Sequence, residues 1–414
     1  MRVLLSTIGS RGDVQPLVAL ASQLRESGHD ARLCVPPDLH DWIERLGFPV
    51  TPIGPRLEGR MGAQAGPQQA GPQQAGPASA PRQAATPRPS AQQAPAAAAL
   101  ERMRQLAAAT VADQVTALTA ATADCDVLVA AAGRLPVAAR SVAEALGVRY
   151  VFVTFCPLFQ QDRDGARFNE RLGPALNRYR ASAGLSPVGD VRGHILTGRP
   201  WLAADPVLAP WPGPAGAARQ TGAWIWPDHR PLEAELTGFL EAGDPPVYAG
   251  FGSMRMAPGL AQVITSAVRA AGRRVILSAG WAGLAPGRPE PGVLAIGEVN
   301  QQALFPRVAA VIHHGGAGTT TAAALAGVPQ VLIPQAYDQH YWAQRVAGLG
   351  IGVAHAPGTP GAVSLAAALG AVLDPRVAAR ARTISRLIDT TGTATATAAL
   401  TTPQPAASAP AGRR

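Results

Sequence analysis

The stretch His313-His-Gly-Gly-Ala-Gly-Thr-Thr320 lies between a strand-like run, residues 308–312, and a helix-like run, residues 320–326. A glycine-rich turn at the start of a helix presents backbone N–H groups that lack a partner within the helix, and the helix dipole favours an anion there. The pattern therefore predicts a cradle for a diphosphate, with two histidines as additional donors. It fits neither the dinucleotide fingerprint G-x-G-x-x-G nor the P-loop spacing, and the sequence contains no lysine.

The small residues of this turn are what allow a ligand to approach. Gly315, Gly316, Ala317 and Gly318 have no bulky side chain that would keep a phosphate from the backbone. Thr319 either adds a hydroxyl donor or caps the helix that follows. The two histidines have an alternative as well, because a histidine at a strand end is often a buried polar group that the protein itself satisfies.

Asp338 and Gln339 come farther along the chain, ahead of another predicted helix. A carboxylate acceptor beside an amide suits the vicinal hydroxyls of a sugar, although helix capping explains the same residues. Ser253 ends the segment Gly250-Phe-Gly-Ser253, which follows another strand. We expect it either to contact phosphate or to belong to a plain turn.

The N-terminal part of the chain offers a second turn of this kind. Ser10-Arg-Gly-Asp13 follows the apolar run 2–8 and precedes a helical pattern. Asp13 is predicted either to cap that helix or to act as a general base in a cleft. The second role requires a carboxylate within hydrogen-bond reach of a substrate hydroxyl. The two roles are compatible in part, because one carboxylate has two oxygens.

Strand-like and helix-like runs alternate in both halves of the chain, which predicts βαβ units and parallel sheets. We expect an α/β protein with two doubly wound domains and a ligand cleft at the carboxyl ends of their strands. The boundaries that we predict are an N-terminal domain 1–205, a linker 206–240, a C-terminal domain 241–375, helices 376–402 that cross back to the N-terminal domain, and a disordered tail 403–414.

A segment rich in Pro, Gly, Gln and Ala, residues 60–98, interrupts the N-terminal domain. Gly66-Pro-Gln-Gln-Ala70 recurs as Gly71-Pro-Gln-Gln-Ala75, and neither copy has an apolar face to bury. We expect a disordered insert instead of a repeat fold, because units of five residues cannot form a stacked core.

The composition narrows the class of partner. The 414 residues carry a formal charge of +9, supplied on the basic side by arginine alone. The arginines are scattered and adjacent only at Arg273-Arg274 and Arg413-Arg414, which is not the pattern of a nucleic-acid-binding protein. An acidic small molecule remains compatible with this charge.

The cysteines and the apolar runs indicate a cytoplasmic protein. Cys34, Cys125 and Cys156 are far apart and form no C-x-x-C pair, so neither a disulfide scaffold nor a zinc site is predicted. The N-terminal apolar run is too short for a signal peptide. No run reaches the roughly 20 apolar residues of a membrane span, so we expect no stable membrane insertion.

Five segments together carry a resemblance to a known family: residues 2–21, Thr221-Gly-Ala-Trp-Ile225, Gly250-Phe-Gly-Ser253, Gly297-Glu-Val-Asn-Gln301 and the span 311–353. They resemble the vancomycin-type glycopeptide glycosyltransferases, which are nucleotide-sugar-dependent enzymes of the GT-B fold. The likeness covers nearly the whole chain except the insert and the tail. It implies two Rossmann-like domains facing across a cleft. It also implies an inverting, metal-independent transfer from a UDP- or TDP-sugar to a natural-product hydroxyl, with no other cofactor.

The resemblance also implies roles for residues of the N-terminal half, where the acceptor binds. It places Ser10, Arg11 and Gly12 on the acceptor side and makes Asp13 the general base.

In the C-terminal half, the resemblance implies the donor site. It places the diphosphate at His313 and at the turn Gly316–Thr320. It places the donor sugar at Asp338 and Gln339, and the nucleobase near Val299.

The acceptor is the least determined part of this prediction. The resemblance favours the aglycone of a glycopeptide antibiotic, a product of secondary metabolism. The same chemistry on a polyketide, macrolide or sterol acceptor is an alternative. A non-catalytic protein that binds a nucleotide-sugar is an alternative of another class. The 60–98 insert is not part of the family pattern and leaves the acceptor open. The sequence does not determine the sugar, the choice between UDP and TDP, or the oligomeric state.

Overall fold

The computed structural model describes residues 1–56, 93–157, 165–254, 256–280, 283–284 and 290–402. Most of the predicted 60–98 insert and the whole predicted tail 403–414 therefore lie outside the described residues.

The N-terminal half is built around one parallel sheet of seven strands in the order β3-β2-β1-β4-β5-β6-β7. Its strands are β1 (Arg2–Ser6), β2 (Asp30–Val35), β3 (Val50–Pro52), β4 (Val127–Ala131), β5 (Arg149–Thr154), β6 (Trp201–Leu202) and β7 (Arg219–Gln220). Its helices are α1 (Arg11–Glu26), α2 (His40–Arg45), α3 (Gln93–Thr122), α4 (Ala139–Leu146), α5 (Gly165–Ser182) and α6 (Val191–Leu196), and a 3-10 turn spans Pro37–Leu39.

Both faces of this sheet are covered, which explains why its strands are almost continuously apolar. Val3 and Leu5 point to the face that packs against α1, while Leu4 between them points to the face covered by α3, α4 and α5. The alternation places each strand residue in one of two separate cores.

The C-terminal half repeats the arrangement with six parallel strands in the order β10-β9-β8-β11-β12-β13. Its strands are β8 (Val247–Gly250), β9 (Val275–Ser278), β10 (Val293–Ile296), β11 (Ala310–His313), β12 (Gln330–Leu332) and β13 (Gly352–Ala354). Its helices are α7 (Ala234–Glu241), α8 (Leu260–Ala270), α9 (Gln301–Leu304), α10 (Ala317–Leu325), α11 (Gln339–Gly348), α12 (Ala362–Val372), α13 (Pro375–Ser385) and α14 (Gly392–Thr401), and a 3-10 turn spans Phe305–Arg307.

Strand order reverses at one point in each sheet, between β1 and β4 in the first and between β8 and β11 in the second. In open parallel sheets, ligands bind outside the carboxyl ends of the strands at such a point. The turns after β1 and after β11 are the two that the sequence singled out.

The two halves contact each other through their C-terminal and connecting segments. Helix α14 packs against α1, and Ala396 and Leu400 belong to the N-terminal core. Arg149 donates to the Leu400 carbonyl at 2.8 Å. Arg345 on α11 donates through Nε to the Leu208 carbonyl at 2.9 Å. These contacts hold the halves in a defined relative orientation.

The structure differs from several predicted boundaries. Residues 93–98, assigned to the insert, begin helix α3, where alanines favour helix. Residues 206–240 are not all linker, because Arg219–Gln220 pairs with Trp201–Leu202 at the edge of the N-terminal sheet. Residues 301–307 form a single helical turn followed by a 3-10 turn that contains Pro306. Helices α5 and α6 were not predicted.

Among the described helices, none alone has both the length and the apolarity of a membrane span, whereas α12 and α13, which meet at a 64° bend, have them jointly.

Candidate active site

Asp13 lies in the first turn of α1, directly after the turn that follows β1. Its Oδ2 accepts a hydrogen bond from the Ser10 amide at 2.8 Å and another from the Ser10 hydroxyl at 3.1 Å. A carboxylate that reaches back to the start of its own helix satisfies an amide there. The N-cap is Ser10, so the prediction that Asp13 is itself the N-cap is wrong: Asp13 stands at the third helical position and bonds back to the cap, and neither bond uses Oδ1.

The electrostatic surroundings of Asp13 suit a base. Burial raises the pKa of Asp13 to about 6, the two bonds from Ser10 oppose this rise, and the charge of Asp338 adds to it. At neutral pH the carboxylate is mostly ionised while its pKa lies near the operating pH, the condition under which a general base works well. The contribution of Asp338 is an interaction between charges of the two halves.

Gly9 permits this position of the carboxylate. A Cβ atom built on Gly9 would overlap the carboxyl group of Asp13. Only a residue without a side chain leaves this space, so Gly9 determines where the carboxylate rests.

His313 is not at the surface of the glycine turn, which corrects the prediction that it meets a phosphate. It is fully buried, its Nε2 lies 2.9 Å from Gln330 Oε1, and its Nδ1 accepts from the Gly315 amide at 3.2 Å. Burial lowers the pKa of His313 to about 3, so the ring is neutral. With Nδ1 as acceptor, Nε2 carries the proton and donates to Gln330. Both ring nitrogens are therefore satisfied inside the protein.

His314 is the histidine beside the turn. A Cβ built on Gly316 would lie 2.6 Å from His314 Nε2, and one built on Gly252 would lie 3.5 Å from His314 Cε1. Its Nδ1 is buried and has no hydrogen-bond partner within the described part of the chain. Burial lowers the pKa of His314 to about 4, so this ring is neutral as well.

The alternation of residues along β11 could have indicated that His313 is the buried histidine of the two. Val311 belongs to the core on one face of the sheet and Ile312 to the core on the other. Alternation puts His313 on the same buried face as Val311, whereas His314 follows the end of the strand. Strand periodicity therefore places His313 in the core, and the contacts with Gln330 and Gly252 decide the roles of the two rings.

Helix α10 begins inside the glycine turn, with Gly316 as its N-cap and no side chain capping it. The first N–H groups of a helix have no intrahelical partner, so Ala317, Gly318 and Thr319 present theirs to the space in front of the helix. The Gly315 amide is not part of this set, because it donates to His313. Thr320 is also excluded, since its amide donates to the Gly316 carbonyl at 3.0 Å and its hydroxyl donates to the same carbonyl at 2.9 Å.

Asp338 and Gln339 start helix α11 and have different surroundings. Asp338 Oδ2 accepts from the Trp342 indole at 3.0 Å, and burial raises the pKa of Asp338. Gln339 is buried, and its Oε1 accepts from the Gln335 amide at 2.8 Å and the Ala336 amide at 3.1 Å. The side-chain oxygen of Gln339 thus holds the preceding loop. Of the two residues, Asp338 is the one that offers an acceptor to a ligand.

The remaining predicted residues differ in how far they are buried. Ser253 is half-buried in the turn after β8, and Val299 is half-buried against the core beneath α9. Gly12 is exposed at the start of α1. Arg11 reaches across to Glu298 of the other half at 3.0 Å. In the described ranges no group of three or more His, Cys, Asp or Glu residues could hold a metal ion.

Two family profiles match the chain, one in each half. The glycosyltransferase family 28 N-terminal domain matches residues 3–161. The erythromycin biosynthesis protein CIII-like C-terminal domain matches residues 287–402.

Similar proteins cover almost the full length. The chain is 43% identical over 424 residues to the vancomycin aglycone glucosyltransferase of Amycolatopsis orientalis, with 96% of each chain covered. It is 42% identical over 404 residues to the dTDP-epi-vancosaminyltransferase of the same organism, with 93% of each covered. The Streptomyces sp. SF2575 glycosyltransferase SsfS6, solved with thymidine diphosphate, has a TM-score of 0.63 at 20% identity and covers 97% of this chain and 99% of its own. That likeness confirms the predicted two-domain fold.

Proposed function

This chain belongs to the vancomycin-type glycosyltransferases, and we propose that it transfers a hexosyl or deoxyhexosyl group from a UDP- or TDP-sugar to a hydroxyl of a glycopeptide aglycone, with inversion and without a metal ion. The observation that carries this proposal is the pairing of two complementary turns across the cleft. One turn offers free amides at the start of α10, and the other offers the Asp13 carboxylate.

The leaving group of such a reaction is a nucleoside diphosphate, on which negative charge develops. Amides of Ala317, Gly318 and Thr319 and the dipole of α10 stabilise an anion at this position. Fixed donors of this kind act on the charge where it forms, without reorganisation at the moment of reaction. In this proposal they supply the stabilisation that a divalent cation supplies elsewhere.

His314 is the histidine that the geometry favours as a further phosphate donor, in place of His313. Its ring is neutral and lies against Gly316, and a neutral imidazole carries one N–H. The His313 ring has both nitrogens satisfied by the protein and supports the turn from below.

Asp13 is assigned the role of general base. The acceptor hydroxyl donates its proton to the carboxylate as its oxygen forms a bond to the anomeric carbon. The bond from that carbon to the phosphate oxygen breaks on the opposite face, and its electron pair leaves with the diphosphate. The charge of Asp338 acts on Asp13, and its carboxylate accepts from the Trp342 indole through Oδ2 alone among the bonds described, so Asp338 is assigned to accept hydrogen bonds from hydroxyls of the donor sugar.

The glycopeptide acceptor rests on likeness of sequence. One relative above is named a vancomycin aglycone glucosyltransferase and the other a dTDP-epi-vancosaminyltransferase, and SsfS6 was solved with thymidine diphosphate. The C-terminal profile carries the name of a macrolide pathway, which keeps a polyketide acceptor as the second candidate.

Product analysis tests the reaction. The protein is incubated with UDP-glucose, TDP-glucose or TDP-deoxysugars and with either a glycopeptide or a macrolide aglycone, and products are weighed by mass spectrometry. We expect an added hexose or deoxyhexose on the glycopeptide. Transfer to the macrolide alone would show that the acceptor is a polyketide. If no nucleoside diphosphate is released with either acceptor, the protein binds the donor without turnover.

A matched pair of variants tests the donor site. His314→Ala should weaken TDP and UDP binding by about 10- to 100-fold, the size of one hydrogen bond to a charged group. His313→Ala should instead lower thermal stability, because it leaves buried partners unsatisfied. Calorimetric titration and thermal unfolding of both variants distinguish these outcomes. A binding loss confined to His313→Ala would contradict the assignment of His314.

A further inference from the structure

An ion pair crosses the cleft beside the proposed base. Arg11, two positions before Asp13, contacts Glu298 of the C-terminal half with both terminal nitrogens. Nη2 lies 3.0 Å from Oε1, and Nη1 donates to Oε2 at 3.2 Å. Two parallel bonds of this kind fix direction as well as distance.

Arg11 is also held from its own side of the cleft. Its guanidinium lies 3.9 Å from the centroid of the Trp42 ring, a stacked cation–π arrangement. Burial lowers the pKa of Arg11, and the charge of Glu298 opposes this. The side chain is therefore clamped between an aromatic face of one half and a carboxylate of the other.

Glu298 belongs to an equally well-defined piece of the C-terminal half. Arg230 donates to Glu298 Oε1 at 3.2 Å and pairs with Asp228 at 2.6 Å. The Asn300 amide donates to the carbonyls of Asp228 and Arg230 at 2.8 and 2.7 Å. The turn that carries Glu298 is thus tied to the chain segment that enters the C-terminal half.

The location of the pair indicates what it does. Arg11 is in the turn that holds Asp13, and Glu298 precedes Val299, the residue assigned to the nucleobase. We propose that Arg11 and Glu298 are positioning residues, a cross-cleft pair that aligns the turn of the base with the nucleotide-binding half. Neither side chain takes part in bond making. This inference rests on the proposed function, because the base needs alignment only if it acts on a bound donor.

The strength of the pair suits a contact that forms and breaks in each cycle. The Arg11 side chain is 32% exposed and that of Glu298 is 59% exposed. Exposed pairs of this kind change an equilibrium by a factor of up to about 5. The pair therefore biases the halves toward alignment and still lets them separate for entry of substrate.

A double-mutant cycle tests the pair. Arg11→Gln and Glu298→Gln are each expected to lower kcat by about 3- to 5-fold, with TDP and UDP affinity within about 2-fold of the parent protein. If the two residues act through each other, kcat of the double variant is no lower than kcat of the less active single variant. Multiplying losses, about 10- to 25-fold in the double variant, would overturn the proposal.

Hydrogen exchange supplies a readout that needs no turnover. Glu298→Gln should speed exchange of the amides in residues 10–14, in the opposite half, and unchanged exchange there would also overturn the proposal. Arg376→Gln is the matched control, because it removes an exposed Arg–Asp pair at 2.6 Å on α13. It should change neither readout. If the parent protein binds no nucleotide, the proposed function fails, whereas the exchange result still reports on the pair.

Discussion

Replacing Asp13 by Asn should make the protein more stable and far less active, and the gain in stability should depend on pH. The pKa of Asp13 is raised from 3.8 to about 6, chiefly by burial. A carboxyl group with a raised pKa binds more protons in the folded state, so the parent protein loses stability as pH rises between these two values. Asparagine resembles the protonated form and does not lose stability in this way.

The size of the effect follows from the shift. A rise of about 2 pKa units corresponds to about 2 to 3 kcal/mol of unfolding free energy above pH 6. The stability difference between Asp13→Asn and the parent protein should therefore be near zero at pH 4 and reach that value by pH 7. Transfer should fall by about 100-fold or more, the scale for loss of a general base.

Urea unfolding of both proteins between pH 4 and pH 7, in buffers of constant ionic strength, measures the difference. Asp374→Asn is the control of opposite sign, because the bonds from Arg376 lower the pKa of Asp374 to about 2. That variant should gain no stability between pH 4 and pH 7. A stability difference for Asp13→Asn that is independent of pH, or a loss of stability at pH 7, would refute the reasoning.

Three further changes probe the same cleft. Gly9→Ala places a Cβ atom against the Asp13 carboxyl group, so transfer should fall by about 10-fold or more while TDP binding by calorimetry stays intact; full activity would show that the carboxylate position is not critical. Tyr337→Gly should raise the unfolding free energy by about 1 kcal/mol in urea titrations, because Tyr337 has φ +56 and its side chain is 77% exposed; a decrease would mean that the ring makes a stabilising contact. Asp338→Asn should move the acid limb of the pH profile of kcat/KM to lower pH, since the charge of Asp338 raises the pKa of Asp13; an upward shift would contradict this coupling.

The sheet architecture could be predicted because each core strand is a short apolar run bounded by turns. Val3, Leu4 and Leu5 are fully buried on alternating faces, and such runs are typical of parallel sheets covered by helices. The last two strands of the N-terminal sheet gave no comparable signal. Trp201–Leu202 and Arg219–Gln220 are two residues long, so no period can be read from them, and they were divided between a domain and a linker.

Residue types in the candidate site could be predicted more easily than the partners of each side chain. The sequence identified a turn with two histidines, but their roles depend on Gln330 and Gly252, which come from other strands and turns. The role of the Gln339 side-chain oxygen could not be predicted either, because it accepts a hydrogen bond from the amide of Gln335, four residues earlier. A ligand role and a structural role demand the same residue types, and only the three-dimensional partners distinguish them.

Three local features that reduce stability belong to the residues of the candidate site or stand directly beside them in the chain. Asp13 is a partly buried carboxylate whose described hydrogen bonds come from Ser10, the buried His314 Nδ1 has no partner in the described chain, and Tyr337 has a left-handed backbone. Sequences that fold well satisfy such groups elsewhere, and exceptions concentrate where a ligand completes the structure. A substrate hydroxyl would donate a hydrogen bond to the Asp13 carboxylate, and a phosphate oxygen would accept hydrogen bonds from the amides at the start of α10. The bound substrate would thus supply the partners that these protein groups lack. These interactions would therefore form at the reacting atoms, where contacts that strengthen in the transition state accelerate the reaction.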